Sequence, residues 1–403
     1  MIANSRVYMV DRWIIFTLFL LSPLLSGINF PAKYTIVSLI FLMVFWYYYH
    51  NKGFRLIAWS YPLMLWLILT IYHWVNGIRH KVPEVDILDL LHGLKIFACI
   101  AIFTFLARKN FDQTVKNLAI CFQVFLVLSI IVNGGSIGEG DERLSGVIIA
   151  TALGHAAALS GIYIAYYSLR YHLSIIKSIA WYMLPLIVII LTQSRNSLAM
   201  FAIGILGHVI AFLVQKGANQ LKTIIVILLL GMIAFGVFEL VISNSGIGAR
   251  LANTESAVIT AENNGLSTGT IFDKIVGDRL VYYVVGWRFF LQSPVTGIGM
   301  WNYKYLSQGD YPLHTEYMVQ LCEGGIIGAV IWLLFIIAVF RGVMKSKQIR
   351  YIKIIAIFSL LEILFCGVYA RVFYYEMFYP IIGIAISLSN WGMKPTKKQV
   401  KYI

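Results

Sequence analysis

Twelve stretches of about 20 predominantly apolar residues run through the chain, at roughly 13–29, 34–50, 57–76, 87–107, 115–133, 147–169, 174–194, 196–215, 221–243, 322–340, 351–370 and 374–391. A helix rising about 1.5 Å per residue needs this length to cross the hydrocarbon of a bilayer. In lipid every backbone N–H and C=O must be bonded internally, which leaves helices or closed barrels. Barrel strands are about half as long and alternate in polarity. The expected fold is therefore all-α, a polytopic membrane protein with about 12 transmembrane helices.

Composition agrees. Of 403 residues, 60% are hydrophobic and 12% charged, and the mean hydropathy is +0.79. That leaves too little polar surface to coat a soluble globule of this size. The 24 Tyr, 25 Phe and 10 Trp suit membrane–water interfaces, where an apolar ring with a polar tip is half solvated on each side. Cys99, Cys121, Cys322 and Cys366 lie singly along apolar runs without CxxC spacing. They read as small buried hydrophobes, with neither disulfide nor metal implied.

The net charge of +14 would suit nucleic acid in a soluble protein. In a membrane protein, excess Lys and Arg first report orientation. With the N-terminus in the cytoplasm and the spans alternating, most of the 32 Lys and Arg fall on the cytoplasmic side, Arg108, Lys109, Arg341, Lys345 and the basic tail among them. Both termini are thus expected in the cytoplasm, and no nucleic-acid partner is required. The opening MIANSRVYMVDRW leads into its apolar run without a small-residue cleavage site and reads as an uncleaved first span.

This orientation divides the chain into three parts. Residues 1–243 hold spans 1–9, residues 244–321 form one long loop outside the cytoplasm, and residues 322–403 hold spans 10–12 and the tail. The loop opens with a Gly-, Ser-, Thr- and Asn-rich stretch and continues with DRLVYYVVGWRFFLQSP, whose apolar residues and aromatics suit an amphipathic helix. Pro294 and the glycines of VTGIGMWNY break that helix, and a second short one is expected near His314. No internal repeat suggests the inverted halves of a transporter.

Charged groups in or beside a span cost several kcal/mol each, roughly, so those that persist have a partner or a task. Arg279 and Arg288 lie in the loop helix, and Arg195 stands at the junction LTQSRNSLAM with Gln193, Ser194, Asn196 and Ser197 around it. A planar guanidinium with five donors suits phosphate or pyrophosphate. Each arginine taken alone also suits a snorkelling or solvated position. Arg143 sits at a span start in GDERLSG, with His155 further along as a packing histidine. Asp86, Asp89, His92 and Lys95 recur every third residue, which favours an ion-pair ladder on one helix stripe over a proton path.

HTEYMVQLCEGG places His314, Glu316 and Glu323 ahead of a strongly apolar run. A histidine can accept a proton near neutral pH, which suits a general base beside the lipid, although alone it also suits a polar helix cap. There is no HExxH, no Walker loop and no acidic pair with an obvious ion role. An enzyme of this kind needs arginines to neutralise leaving-group charge in place of a metal.

In its order of elements the chain resembles the bacterial O-antigen ligase family, within the wider group of ligases and polymerases acting on undecaprenyl-linked glycans. The resemblance rests on the twelve expected spans, on TQSRNSL, and on the late loop with GDRLVYYVVGWRFFLQSPVTGIGMWNY followed by HTEYMVQLCEGGIIG. It is most specific from Gln193 to Gly328, where His314, Glu323, Gly325 and Gly328 follow the ligase pattern. Thr315 stands where many members carry Asn.

The resemblance implies transfer of O-antigen polysaccharide from undecaprenyl pyrophosphate to a sugar hydroxyl of lipid A-core, at the periplasmic face of the Gram-negative inner membrane, without nucleotide, metal or other cofactor. By the same resemblance His314 is the base, Arg195 and Arg279 bind the pyrophosphate, and Arg143 joins them. Arg288, Glu316 and Glu323 are candidates for support, and membrane lipids are the remaining partner. An O-antigen polymerase would use the same donor, but polymerases often divide their polar residues between two sizeable loops, whereas here one late loop dominates. A polysaccharide flippase or proton-coupled transporter would use the spans and leave that loop without a task.

Overall fold

The computed structural model describes residues 11, 13–14, 33–80, 87–133, 150–217, 279–299, 302–306, 313–374 and 376–389. Among them every regular element is helical. The order begins α1 (Lys33–Tyr49), α2 (Lys52–Ala58), α3 (Tyr61–Arg79), α4 (Ile87–Lys109) and α5 (Phe111–Asn133). It continues with α6 (Ala150–Arg170), α7 (Ile175–Thr192) and α8 (Arg195–Gln215). Then come α9 (Arg279–Gln292), the short α10 (Asn302–Leu306) and α11 (Glu316–Met318). A π-helical turn, Val319–Glu323, leads into α12 (Gly325–Met344), followed by α13 (Arg350–Tyr369) and α14 (Tyr379–Leu388).

Among the described residues, six helices are long and apolar enough to cross a membrane, lying in α4, α5, α7, α8, α12 and α13. The expected spans 57–76 and 147–169 fall on α3 and α6, of 19 and 21 residues. Span 221–243 and nearly all of span 13–29 lie outside the described residues, as does the loop from 244 to 278. The loop helix ends at Gln292, two residues before Pro294, where a proline would remove a helical hydrogen bond.

The final span departs from expectation. The apolar run 374–391 is long enough for one helix of membrane length, but α14 has 10 residues, preceded by 3-10 turns at Val372–Tyr374 and Glu376–Phe378. At 1.5 Å per residue that reaches about 15 Å, half of a hydrocarbon core. A short helix is possible here because α14 packs against α4, α12 and α13, so neighbouring helices and not lipid surround its ends.

Between helices in lipid, close approach replaces the hydrophobic drive. The clearest case joins α8 to α13, which run antiparallel. A Cβ on Gly207 would come within 2.5 Å of Phe358, and one on Gly204 within 3.2 Å of Glu362 Oε2. This register brings the start of α8, about nine residues before Gly204, level with the end of α13, about seven residues after Glu362. Arg195 and Tyr369 therefore share one end of the bundle, the same end as His314.

The opposite end carries the basic last turns of α4 (Arg108, Lys109), α6 (Arg170) and α12 (Arg341). There Arg170 Nε pairs with Asp112 Oδ1 at 2.6 Å, and Arg108 Nη2 donates to the Ser389 carbonyl at 2.9 Å.

Of the ladder expected along α4, Lys95 makes a contact between distant segments. Lys95, fully buried, pairs through Nζ with Glu376 Oε1 at 2.5 Å. Asp86 lies outside the described residues. A buried ammonium takes the carboxylate that packing delivers, and the 3-10 turn before α14 delivers Glu376 to it. His155 packs as expected, buried with Cys366 Sγ 3.9 Å from its ring and Phe378 in edge contact. All four cysteines are buried thiols.

Candidate active site

The polar residues of the His314 segment are held from four directions. Its floor is a backbone lock between residues 294–299 and the π-helical turn. Ile298 N–H donates to the Cys322 carbonyl at 2.9 Å, and Gly299 N–H to the Glu323 carbonyl at 3.1 Å. Ile326 N–H donates to the Pro294 carbonyl at 2.9 Å, and Ile327 N–H to that of Val295 at 3.2 Å. Such proximity leaves no room for side chains at the crossing. Gly297 and Gly325 have φ of +72° and +63°, and a Cβ on either would meet the other segment's backbone within about 2.5 Å. Only glycine combines that φ with that clearance.

Helix α3 clamps both segments at once. The Tyr72 hydroxyl lies 2.8 Å from the Gly324 carbonyl and 3.0 Å from that of Thr296. Asn76 Nδ2 donates to the carbonyls of Thr296 and Glu323. Between them His73 Nε2 lies 3.0 Å from Gln320 Oε1. Gln320 Nε2 donates onward to Glu316 Oε1 at 2.8 Å, while Phe373 N–H reaches Glu316 Oε2 at 3.4 Å. The chain of donors assigns the His73 proton to Nε2 and ends on a carboxyl group. Burial pushes the Glu316 carboxyl above the ordinary range, against the Gln320 hydrogen bond, the Arg371 charge and the Phe373 N–H, which pull it down.

Glu323 is fully buried, and its Oε2 accepts from Arg371 Nη2 at 2.8 Å, joining the corner after α13 to the end of the π-helical turn. Glu316 and Glu323 are thus both engaged in holding the segment together.

His314 is half-buried, with Leu313 and Thr315 buried on either side. The segment docks on the last turn of α13, whose terminal carbonyls have no helical donor. Thr315 Oγ1 donates to the Gly367 carbonyl of that turn at 3.2 Å, and the Tyr317 hydroxyl to the Leu364 carbonyl one turn earlier at 2.9 Å.

The fourth direction is α9. On a helix, residues 279, 283, 286 and 290 share one face. A Cβ on Gly286 would come within 3.0 Å of Met318 Cε and 3.4 Å of Leu313 Cδ2, and Phe290 is buried. The position of Arg279 is therefore on the face turned to the His314 segment. Arg288 is exposed, nine residues on and so half a turn away. Arg288, a candidate for support, thus stands on the face of α9 opposite that of Arg279, turned away from the His314 segment.

Arg195 is the first residue of α8, exposed, after a tight junction. Gln193 takes the left-handed conformation with φ of +51°, and Ser194 caps α8 by accepting from Ser197 N–H at 3.4 Å. A cation at a helix N-terminus opposes the helix dipole at a cost of roughly 0.3–1 kcal/mol. The same placement adds a guanidinium to an end that already attracts anions. Arg143 lies outside the described residues.

Sequence reasoning missed Tyr72, His73, Asn76, Tyr283, Gln320 and Arg371. His73 and Asn76 carried a usable signal, polar residues within an expected span. Among the described residues, no group of three or more His, Cys, Asp and Glu is placed to hold a metal ion.

Residues 179–333 match the model of the O-antigen ligase family, which supports the resemblance read from the sequence. The match takes in Arg195, α8, α9, the His314 segment and the start of α12. No curated protein matches the chain.

Proposed function

We propose, from the O-antigen ligase match over residues 179–333, that the protein is a glycosyltransferase of that kind. It moves O-antigen polysaccharide from undecaprenyl pyrophosphate to a sugar hydroxyl of lipid A-core. The observation that carries this reading is the convergence of His314, the Arg279 face of α9 and the start of α8 at one end of a helical bundle. The basic last turns at the opposite end favour that end as cytoplasmic. The His314 end then faces the periplasm of the inner membrane.

In this reading His314 takes the proton from the acceptor hydroxyl as its oxygen bonds to the anomeric carbon of the donor sugar. The bond from that carbon to the pyrophosphate oxygen breaks, its electron pair leaves on the pyrophosphate, and direct displacement inverts the anomeric centre. Arg195 and Arg279 hold the leaving anion, with Arg143 as a further arginine in the same role. The cost of keeping cations near lipid falls when the anion arrives.

The test uses purified protein in detergent with both lipid substrates and no ion gradient. The wild type is expected to form product, His314→Ala to lose it, and Arg279→Lys to lose most of it, since a point charge cannot replace a bidentate fork. Full activity in both variants would sink the site assignment. Strict dependence on sealed vesicles would indicate transport, and addition of repeats to a second lipid-linked glycan would indicate a polymerase.

A further inference from the structure

The Tyr283 hydroxyl lies at a junction that the proposed chemistry does not use. It is 2.7 Å from the Val368 carbonyl oxygen and 3.1 Å from Thr315 Oγ1, which is in turn 3.2 Å from the Gly367 carbonyl. Both carbonyls belong to the last turn of α13, which leaves them without helical donors. Two hydroxyl protons serve three oxygen–oxygen contacts, and carbonyls can only accept. With both protons given to the carbonyls, the tyrosine–threonine contact has none, so the donors must be shared around the group. Three elements meet here: α9, which carries Arg279 one turn before Tyr283, the segment in which Thr315 follows His314, and the end of α13.

We infer that Tyr283 is a positioning residue for transfer: through the Thr315 and Val368 oxygens it fixes the Arg279 face of α9 against the His314 segment. This rests on the proposed function and adds a residue to it. Each neighbouring feature agrees with the assignment. Gly286, one turn on, admits Leu313 and Met318 at van der Waals range, so the face is already in close contact and the hydroxyl sets its register. Thr315, next to His314 in the chain, reaches both α9 and α13 with one hydroxyl and so ties the His314 segment to the helix that carries Arg279. Misplacing reacting groups by about 1 Å can cost up to about a hundredfold in rate without touching any of them.

The experiment compares Tyr283→Phe, Thr315→Val and the double variant in the two-lipid assay, with His314→Ala alongside. Tyr283→Phe keeps the ring and its packing, so the fold is expected to survive. It should lower kcat about tenfold while leaving the KM of donor and acceptor within about twofold, a split that general loosening would not produce. Because the two hydroxyls act as one unit, the double variant should lose no more than the worse single. Wild-type kcat in Tyr283→Phe, or losses that multiply in the double variant, would overturn the inference. If His314→Ala is inactive while Tyr283→Phe is fully active, only the positioning role falls; if His314→Ala is active, the underlying reading of the site falls.

Discussion

Arg371 Nη2 meets Glu323 Oε2 at 2.8 Å with both side chains withdrawn from solvent, 8% and 0% exposed. This pair fastens the corner between α13 and α14 to the last residue of the π-helical turn. Removing one partner strands a buried charge, at a cost of about 3–5 kcal/mol, whereas replacing both with apolar residues is far milder. Arg371→Met should therefore lower the unfolding temperature in detergent markedly, and Arg371→Met with Glu323→Leu should recover much of the loss. A double variant less stable than either single would show that the two residues do not act as an ion pair.

Glu316 gives a pH dependence of definite sign. Its carboxyl is raised above the ordinary 4.5, burial being the largest cause. Folding favours the protonated form, so its contribution to stability is fully present below pH about 4.5 and is lost as pH rises through the raised value. Unfolding temperature against pH should fall across that window in the wild type. Glu316→Gln, which carries no titrating proton, should flatten that part of the curve; an unchanged slope would exclude Glu316 as its source.

Two glycines near His314 should respond very differently to alanine. At Gly297 a Cβ meets the backbone of Glu323 and Gly325 at 2.5 Å with φ at +72°, and neither side can yield. At Gly286 the nearest atom is the flexible end of Met318, at 3.0 Å. Gly297→Ala should cost several kcal/mol, roughly, and show as loss of folded protein, while Gly286→Ala should stay within about 1 kcal/mol. Comparable yields of folded protein from both by size-exclusion chromatography would contradict the lock between residues 294–299 and 322–327.

Arg195 should separate stability from activity. It is exposed at the positive end of α8, where a cation opposes the helix dipole, so Arg195→Gln should change stability by no more than about 1 kcal/mol in either direction. If the residue holds the donor's pyrophosphate, the same change should raise the donor KM about tenfold or more, consistent with a lost charge-assisted contact. Unaltered donor kinetics would remove Arg195 from the site.

Much of the helical layout was legible because hydropathy over 20 residues depends on the chain alone. The α7–α8 junction was legible too, from Ser194 and the polar cluster around it. The opposed faces of Arg279 and Arg288 follow from their spacing of nine residues and could have been read. The partners of the buried charges could not. Lys95 had His92 and two aspartates nearby in sequence, yet it pairs with Glu376, a residue 281 positions away. Nothing local distinguishes that carboxylate from the others, because three-dimensional packing chooses it. The brevity of α14 was hidden for the same reason: an apolar run reads alike whether lipid or other helices surround it.

Besides the side-chain contact of His73 with Gln320, the clamp from α3 grips main chain. Tyr72 and Asn76 reach the carbonyl oxygens of Thr296, Glu323 and Gly324, groups that every amino acid supplies. At those two residues the scaffold beneath the histidine is thus indifferent to most residue identities in the segments it holds, apart from the glycines at the crossing; His73 adds a demand for Gln320. Side chains such as those of Val295 and Ile326, both exposed, are left at liberty to drift. An assembly fastened this way can change the surface it offers at its rim by ordinary substitution, while the footing of His314 stays where it was.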